Sequence, residues 1–148
     1  MTDVNIRSLI LISAQFLWLV MLLLTGRFLL LDNVPILLVQ AAAIALGLWA
    51  IGTVGLSRVR VQPDVHPEAS LVTSGPYAKI RHPMYTSLII FTAAAIVADF
   101  TALRLGIWLA LVVTMLVKLH YEEGLLDRHF PDYEKYRATT WRIIPWIY

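Results

Sequence analysis

Arg81-His82-Pro83-Met84-Tyr85 stands at the mouth of an uncharged run that reaches Ala98, and its reading decides the fold. A charged, proline-kinked pentad leads directly into an apolar helix. Leu71-Val72-Thr73-Ser74-Gly75-Pro76-Tyr77 precedes it, and Glu122-Glu123 closes the next apolar run. The pattern predicts a polar pocket at one membrane face, built from the loop before one helix and the tail after another. Ionisable groups at such a depth are costly, which marks them as a functional site.

Working outward, the composition fits a membrane protein. Of 148 residues, 59% are hydrophobic and 15% charged, and the mean hydropathy is +0.71. An ordinary soluble domain is less apolar. The net charge is +2 and the basic residues are scattered, so there is no stripe for nucleic acid. With no cysteine, disulfides, thiolate zinc sites and thiol nucleophiles are excluded. No His-Glu-x-x-His or similar spacing points to a metal. His66 and His129 read as solvated, and His120 as interfacial packing.

Four segments are uncharged or nearly so: Ser8 to Gly26, Asn33 to Ser57, His82 to Ala98, and Thr101 to Tyr121, the last holding Arg104 and Lys118. A helix crosses the hydrocarbon core with ~20 residues, so the third is near the lower limit. The fourth spans if Arg104 and Lys118 reach out to the interfaces. The first continues into Arg27-Phe28-Leu29-Leu30-Leu31 and lacks a cleavage pattern, so it reads as a span and not a signal peptide. With both termini inside, ten of the twelve Lys and Arg residues lie on the inner side and only Arg27 and Arg104 outside. By the positive-inside rule the loop before residue 82 and the tail after Lys118 share the cytoplasmic face.

The expected fold is all-α: a polytopic bundle of about four transmembrane helices, with a cytoplasmic loop and a helical C-terminal tail forming the pocket. The chain reads as a single domain, 1–148. Residues 1–57 form a first hairpin through Asp32-Asn33-Val34-Pro35, and residues 58–148 a second unit that turns at Asp99. Ala43 and Gly47, four apart, suit close helix packing in lipid.

The loop begins extended, with Val59, Val61 and Val65 alternating with polar residues until Pro63 and Pro67 break the pattern. Arg58 and Arg60 read as an anchor to anionic headgroups. Ser74-Gly75-Pro76 is a turn. His82 precedes a proline and is pushed out of the helical region, and Pro83 suits the first helical position. The first-turn N–H groups, including those of Met84 and Tyr85, are expected to point into the pocket and attract an anion. Lys118 and Glu122 share a helix face, with Glu123 turned ~100° away, so Glu122 is expected inside, paired to Lys118. The helix continues past Gly124 to His129, and a short amphipathic helix follows Pro131. Tyr133, Tyr136, Trp141, Trp146 and Tyr148 read as an aromatic belt.

These strings, with Glu122-Glu123-Gly124-Leu125-Leu126, Phe130-Pro131-Asp132-Tyr133-Glu134-Lys135-Tyr136 and Pro145, resemble the isoprenylcysteine carboxyl methyltransferases and the related phospholipid methyltransferases. The resemblance covers roughly Gln62 to the end, while helices 1 and 2 match only in being apolar. It implies S-adenosyl-L-methionine as donor, S-adenosyl-L-homocysteine as product, and a catalytic core over 58–148. Carried over by position, the donor-binding residues would be Gln62, the Ala69-Ser70-Leu71-Val72 backbone, Tyr77, His82, Pro83, Met84, Tyr85 and Glu122. The donor's carboxylate suits the helix N-terminus and His82, its ammonium and ribose suit Glu122 or Gln62, and its adenine suits Leu71, Val72 and Tyr77. Lys118 stands where the carboxyl methyltransferases resemble one another in having a substrate-holding arginine. A lysine gives a point charge without the bidentate fork.

The expected activity is methyl transfer to the carboxylate of a prenylated or other lipophilic acceptor entering from the bilayer, at the cytoplasmic side of a multi-pass protein (the inner membrane in a bacterium). Lys118 would position the acceptor. The alternatives are a phospholipid N-methyltransferase or small-thiol S-methyltransferase, where His82 or Glu122 would take the proton, and a non-enzymatic membrane subunit. Membrane lipids are the expected surroundings, with neither nucleic acid nor metal as partner, and the oligomeric state is open.

Overall fold

A computed structural model describes residues 6–29, 31–55 and 70–148. It contains α1 (Ile6–Leu24), α2 (Val34–Val54), α3 (Pro83–Ala98), α4 (Ala102–His129) and α5 (Tyr133–Thr139), with a 3-10 turn at Gly75–Ala78. Among the described residues there is no strand, only an isolated parallel bridge between Ile80 and Trp141. The fold is therefore an all-α polytopic membrane bundle. Gln62, Ala69, His66, the extended stretch around Val59 to Val65, Arg58, Arg60, Pro63 and Pro67 lie outside the described residues.

Local chemistry sets the helix limits. Asn33 accepts a hydrogen bond from the Ile36 amide at 3.2 Å, and Thr101 one from the Arg104 amide at 3.1 Å. Each side chain thereby satisfies a first-turn N–H that the helix itself leaves open. Gly55 ends α2 with φ 85, a backbone state that suits glycine. His82 precedes α3 with φ −123 and ψ 59, the non-helical state that a following proline imposes.

α1, α2 and α4 are long and apolar enough to cross a membrane, whereas α3 is a shorter apolar helix of 16 residues, ~24 Å long. Outward-facing Leu9, Phe16, Leu38, Leu48, Leu109 and Val113 remain exposed within the protein, as lipid-facing side chains do.

The main helix packing joins α2 to α3 and α1 to α4, with a lesser α3–α4 contact. The expected pairing of sequence neighbours α1 and α2 is thus not the principal one. Leu22, Ile96, Ile107, Leu111 and Met115 form the core. Hydroxyls tie helix to helix across it: the Trp18 indole donates to Thr114 and the Trp108 indole to Thr92, both at 3.1 Å. Between α2 and α3 the small residues do pack closely. The Ser87 hydroxyl donates to the Ala43 carbonyl at 2.6 Å, and a Cβ on Gly47 would lie 2.7 Å from Ser87 Oγ.

Arg104 and Lys118 do not reach out to the interfaces. They are 1% and 2% exposed and turn inward. Arg104 forms an ion pair with Asp99 and donates to the Arg27 carbonyl at 2.9 Å. The Arg27 amide in turn donates to Asp99 at 2.9 Å. A buried guanidinium needs several acceptors to offset its lost hydration, and the α1–α2 and α3–α4 connections supply them. A side chain on Gly26 would collide with Asp99 and Arg104, both 2.5 Å from the position of its Cβ.

Candidate active site

At the opposite end of the bundle, residues 70–85 meet the end of α4 and the C-terminal tail. The 3-10 turn starts at Gly75, whose φ is 58. A Cβ there would come within 2.6 Å of Thr53 Oγ1, so backbone angle and proximity both call for glycine. The turn brings Tyr77 to the site, where the Tyr77 carbonyl accepts the Tyr136 hydroxyl at 2.7 Å. Beyond it, the backbone pairs with the tail: the Arg81 amide donates to Trp141 O at 2.7 Å and the His82 amide to Arg142 O at 3.0 Å. The Thr86 hydroxyl adds a bond to Ile143 O at 2.8 Å.

Adjacent carboxylates on α4 then divide the site. Glu123 is 6% exposed. Its Oε1 accepts from Arg81 Nε at 2.7 Å and its Oε2 from Arg142 Nε at 2.9 Å. His82 Nε2 lies 3.4 Å from the same Oε1. Arg81 also donates to Arg137 O at 3.1 Å and to Thr140. One carboxylate thus joins the loop before α3 to the tail after α5. Charges this buried are tolerable only because each is hydrogen-bonded on several sides.

Glu122 turns the other way and keeps 28% of its side-chain surface. Its Oε2 accepts the Tyr85 hydroxyl at 2.8 Å and lies 3.9 Å from His82 Nδ1. Oε1 has no hydrogen-bond partner among the described residues. The rings of His82 and Tyr85 stack with centroids 5.4 Å apart and planes 5° from parallel. Lys118 Nζ lies 5.4 Å from the Tyr85 ring centre, a cation–π distance, and donates to Gln15 Oε1 of α1 at 2.9 Å.

Charge and burial also act on the groups outside the spans. Burial, and then the Glu122 charge, push the Tyr77 phenol up to about 12, so it remains a neutral donor at physiological pH. Tyr133 and Tyr136 are raised as well, chiefly by burial. Burial opposes the charge of Arg142, but Glu123 and Tyr148 outweigh it and raise its pKa.

His82, Tyr85, Lys118 and Glu122 therefore come together, with Tyr77 close enough to feel Glu122. Pro83 is buried in the first turn of α3, with Met84 half-buried beside it. Leu71 and Val72 are half-buried and Ser70 exposed.

Four details differ from the sequence-based expectations. Lys118 bonds Gln15 instead of pairing with Glu122. The Tyr85 amide closes onto His82 O at 3.0 Å, so it does not point into the pocket. Glu123 also turns inward, toward the tail. Tyr133, 1% exposed, and Tyr136 pack beneath the site and do not join the aromatic belt, whereas Trp146 and Tyr148 are exposed. Sequence reasoning missed Glu123, Arg142 and Gln15. The doubled acid was a usable signal for the first, but no spacing rule links residues 15 and 118.

The donor set suits S-adenosyl-L-methionine, a cationic sulfonium with an ammonium. A part-exposed carboxylate, one of whose oxygens has no hydrogen-bond partner among the described residues, stands beside aromatic rings. A family model described as phospholipid methyltransferase matches residues 34–133. The chain belongs to this family of membrane methyltransferases. The match takes in α2, which by sequence had seemed merely apolar, and stops at the start of α5. A curated relative, the nickel-cobalt-cadmium resistance protein NccN of Alcaligenes xylosoxydans xylosoxydans, is 27% identical over 115 residues, 72% of this chain and 52% of that protein. The chain spans about half the length of that relative. No solved structure matches.

Proposed function

We propose that the protein is an S-adenosyl-L-methionine-dependent methyltransferase whose acceptor is a lipophilic carboxylate, with the reaction on the cytoplasmic side of the membrane. The observation that carries this reading is the placement of Glu122 at the Tyr85 hydroxyl and of Lys118 over the Tyr85 ring. A carboxylate suits a cationic donor and a buried ammonium suits an anionic acceptor. When bound, the donor supplies a methyl group activated by its sulfonium.

Glu122 holds positive charge at the site, and Tyr85 fixes the Glu122 carboxylate through its hydroxyl. Met84 and the part-buried Leu71-Val72 surface line the approach, with Tyr77 as a neutral wall and donor. Of the other residues carried over from the family, Ser70 lies beside this surface, Pro83 sets the start of α3, and Gln62 and Ala69 complete the set. Lys118 draws the acceptor's anionic oxygen toward the donor. Opposite charges cancel on the way to the transition state, so a site depleted of water favours the transfer, and positioning supplies much of the rate. A carboxylate acceptor needs no base.

The family description favours a second reading, methylation of a phospholipid at its amine, and a hydrophobic thiol acceptor would make the same chemical demand. Either acceptor would have to lose a proton, and His82, 3.9 Å from Glu122, is the group placed to relay it.

The test is transfer of labelled methyl from the donor to a total lipid extract, followed by base. Carboxyl methyl esters release volatile methanol. Label that survives base would establish the amine or thiol reading. Calorimetric titration with S-adenosyl-L-homocysteine tests the donor site directly, and a protein that does not bind it would be a non-enzymatic membrane subunit.

A further inference from the structure

Lys118 is 2% exposed and Gln15 8%, and they meet across the α1–α4 contact. Among the described residues no carboxylate lies within ion-pair reach of Lys118. An ammonium buried in a bundle without a touching counter-ion is costly, and it favours an anion brought from outside. An ammonium only donates, so the Gln15 atom 2.9 Å from Nζ must be the carbonyl oxygen. The amide nitrogen is then turned the other way. Its two N–H groups have no hydrogen-bond partner among the described residues.

We propose that Gln15 is the second half of an anionic head-group site. Its amide N–H groups donate to one oxygen of a carboxylate or phosphate while Lys118 takes another. This rests on the methyltransferase reading above and names the acceptor class. Gln15 also lies outside the matched segment 34–133. The N-terminal helix, which the family model does not cover, thereby contributes to the choice of acceptor. Two donors on two helices replace the single planar fork that an arginine would offer.

The experiment uses the full chain in a neutral maltoside detergent and twelve-carbon probes that differ only at the head: dodecanoate, dodecyl phosphate and dodecanol. Affinity is read from probe-induced shifts in thermal unfolding. The wild type should bind at least one of the anions about tenfold or more tightly than the alcohol, and the preferred anion tells a carboxylate site from a phosphate site. Gln15→Glu places a carboxylate against Lys118 and should abolish the preference. Gln15→Met, which keeps the bulk and removes the donors, should reduce it several-fold.

In both variants the affinity for S-adenosyl-L-homocysteine should stay within about twofold of wild type. No anion preference in the wild type, or the full preference in either variant, would overturn the proposal. So would loss of S-adenosyl-L-homocysteine affinity in both variants, since Gln15 would then be a structural strut. A wild type that fails to bind S-adenosyl-L-homocysteine would instead refute the methyltransferase reading itself.

Discussion

The Tyr85 hydroxyl donates to Glu122 at 2.8 Å, linking the first turn of α3 to the last turns of α4. Tyr85→Phe keeps the stacking on His82 but leaves Glu122 without its fixed donor. A single hydrogen bond of this kind contributes about 1 kcal/mol. S-adenosyl-L-homocysteine affinity should fall roughly fivefold, as read by calorimetry.

Glu122 and Glu123 should separate function from stability. Glu122→Ala should remove most donor affinity and cost only about 1 kcal/mol of stability, through the lost Tyr85 bond. Glu123→Ala strands Arg81 and Arg142, and breaking a buried ion network of this kind costs about 3–5 kcal/mol. Thermal unfolding in detergent, run beside the calorimetry, checks both outcomes. A stable Glu123→Ala protein would mean that the tail is not held by that carboxylate.

At the other end, Asp99→Ala leaves the buried Arg104 charge without its partner and should cost about 3–5 kcal/mol, whereas Arg104→Met replaces the charge by an apolar chain and should cost less. The comparison is made by denaturant titration in mixed micelles. Equal losses would argue against the inward ion pair.

Gly47→Ala would put its Cβ against Ser87, 2.7 Å away. Overpacking should cost about 1–3 kcal/mol. In a Ser87→Ala background the added cost should shrink, since the obstructing oxygen is gone. The double-mutant cycle measures this coupling, which should vanish if α2 and α3 do not pack here.

Alkaline pH should destabilise the protein through its buried phenols. Tyr77 holds its proton up to about 12 in the fold, and Tyr133 and Tyr136 are shifted the same way. The unfolded chain releases these protons near pH 10. Their contribution is therefore complete below ~10 and is lost as pH rises toward 12. Unfolding temperatures between pH 9 and 12 should drop, and Tyr77→Phe should soften the slope.

The apolar runs and Pro83 were legible in the sequence because a span and a helix start depend on local chain chemistry. The extent of α4 to His129 was legible for the same reason. Helix pairing was not. Lipid and a helix-packed interior are both apolar, so residues such as Leu111 and Leu109 look alike although one is buried and the other faces outward. Glu122, Tyr85, His82 and Lys118 could be gathered from the order of the spans. The bond from Lys118 to Gln15 and the sharing of Glu123 by Arg81 and Arg142 depend on how distant segments rotate toward each other, and no local pattern encodes that.

Because Glu123 follows Arg81 by 42 residues, and Arg142 follows Glu123 by another 19, the guanidinium at the start of α3 emerges from the ribosome well before either. The entrance to α3 is left without its counter-ion until α4 has been made. Chains arrested before residue 123 should carry a solvent-accessible Arg81 that closes off once Glu123 and Arg142 have followed it.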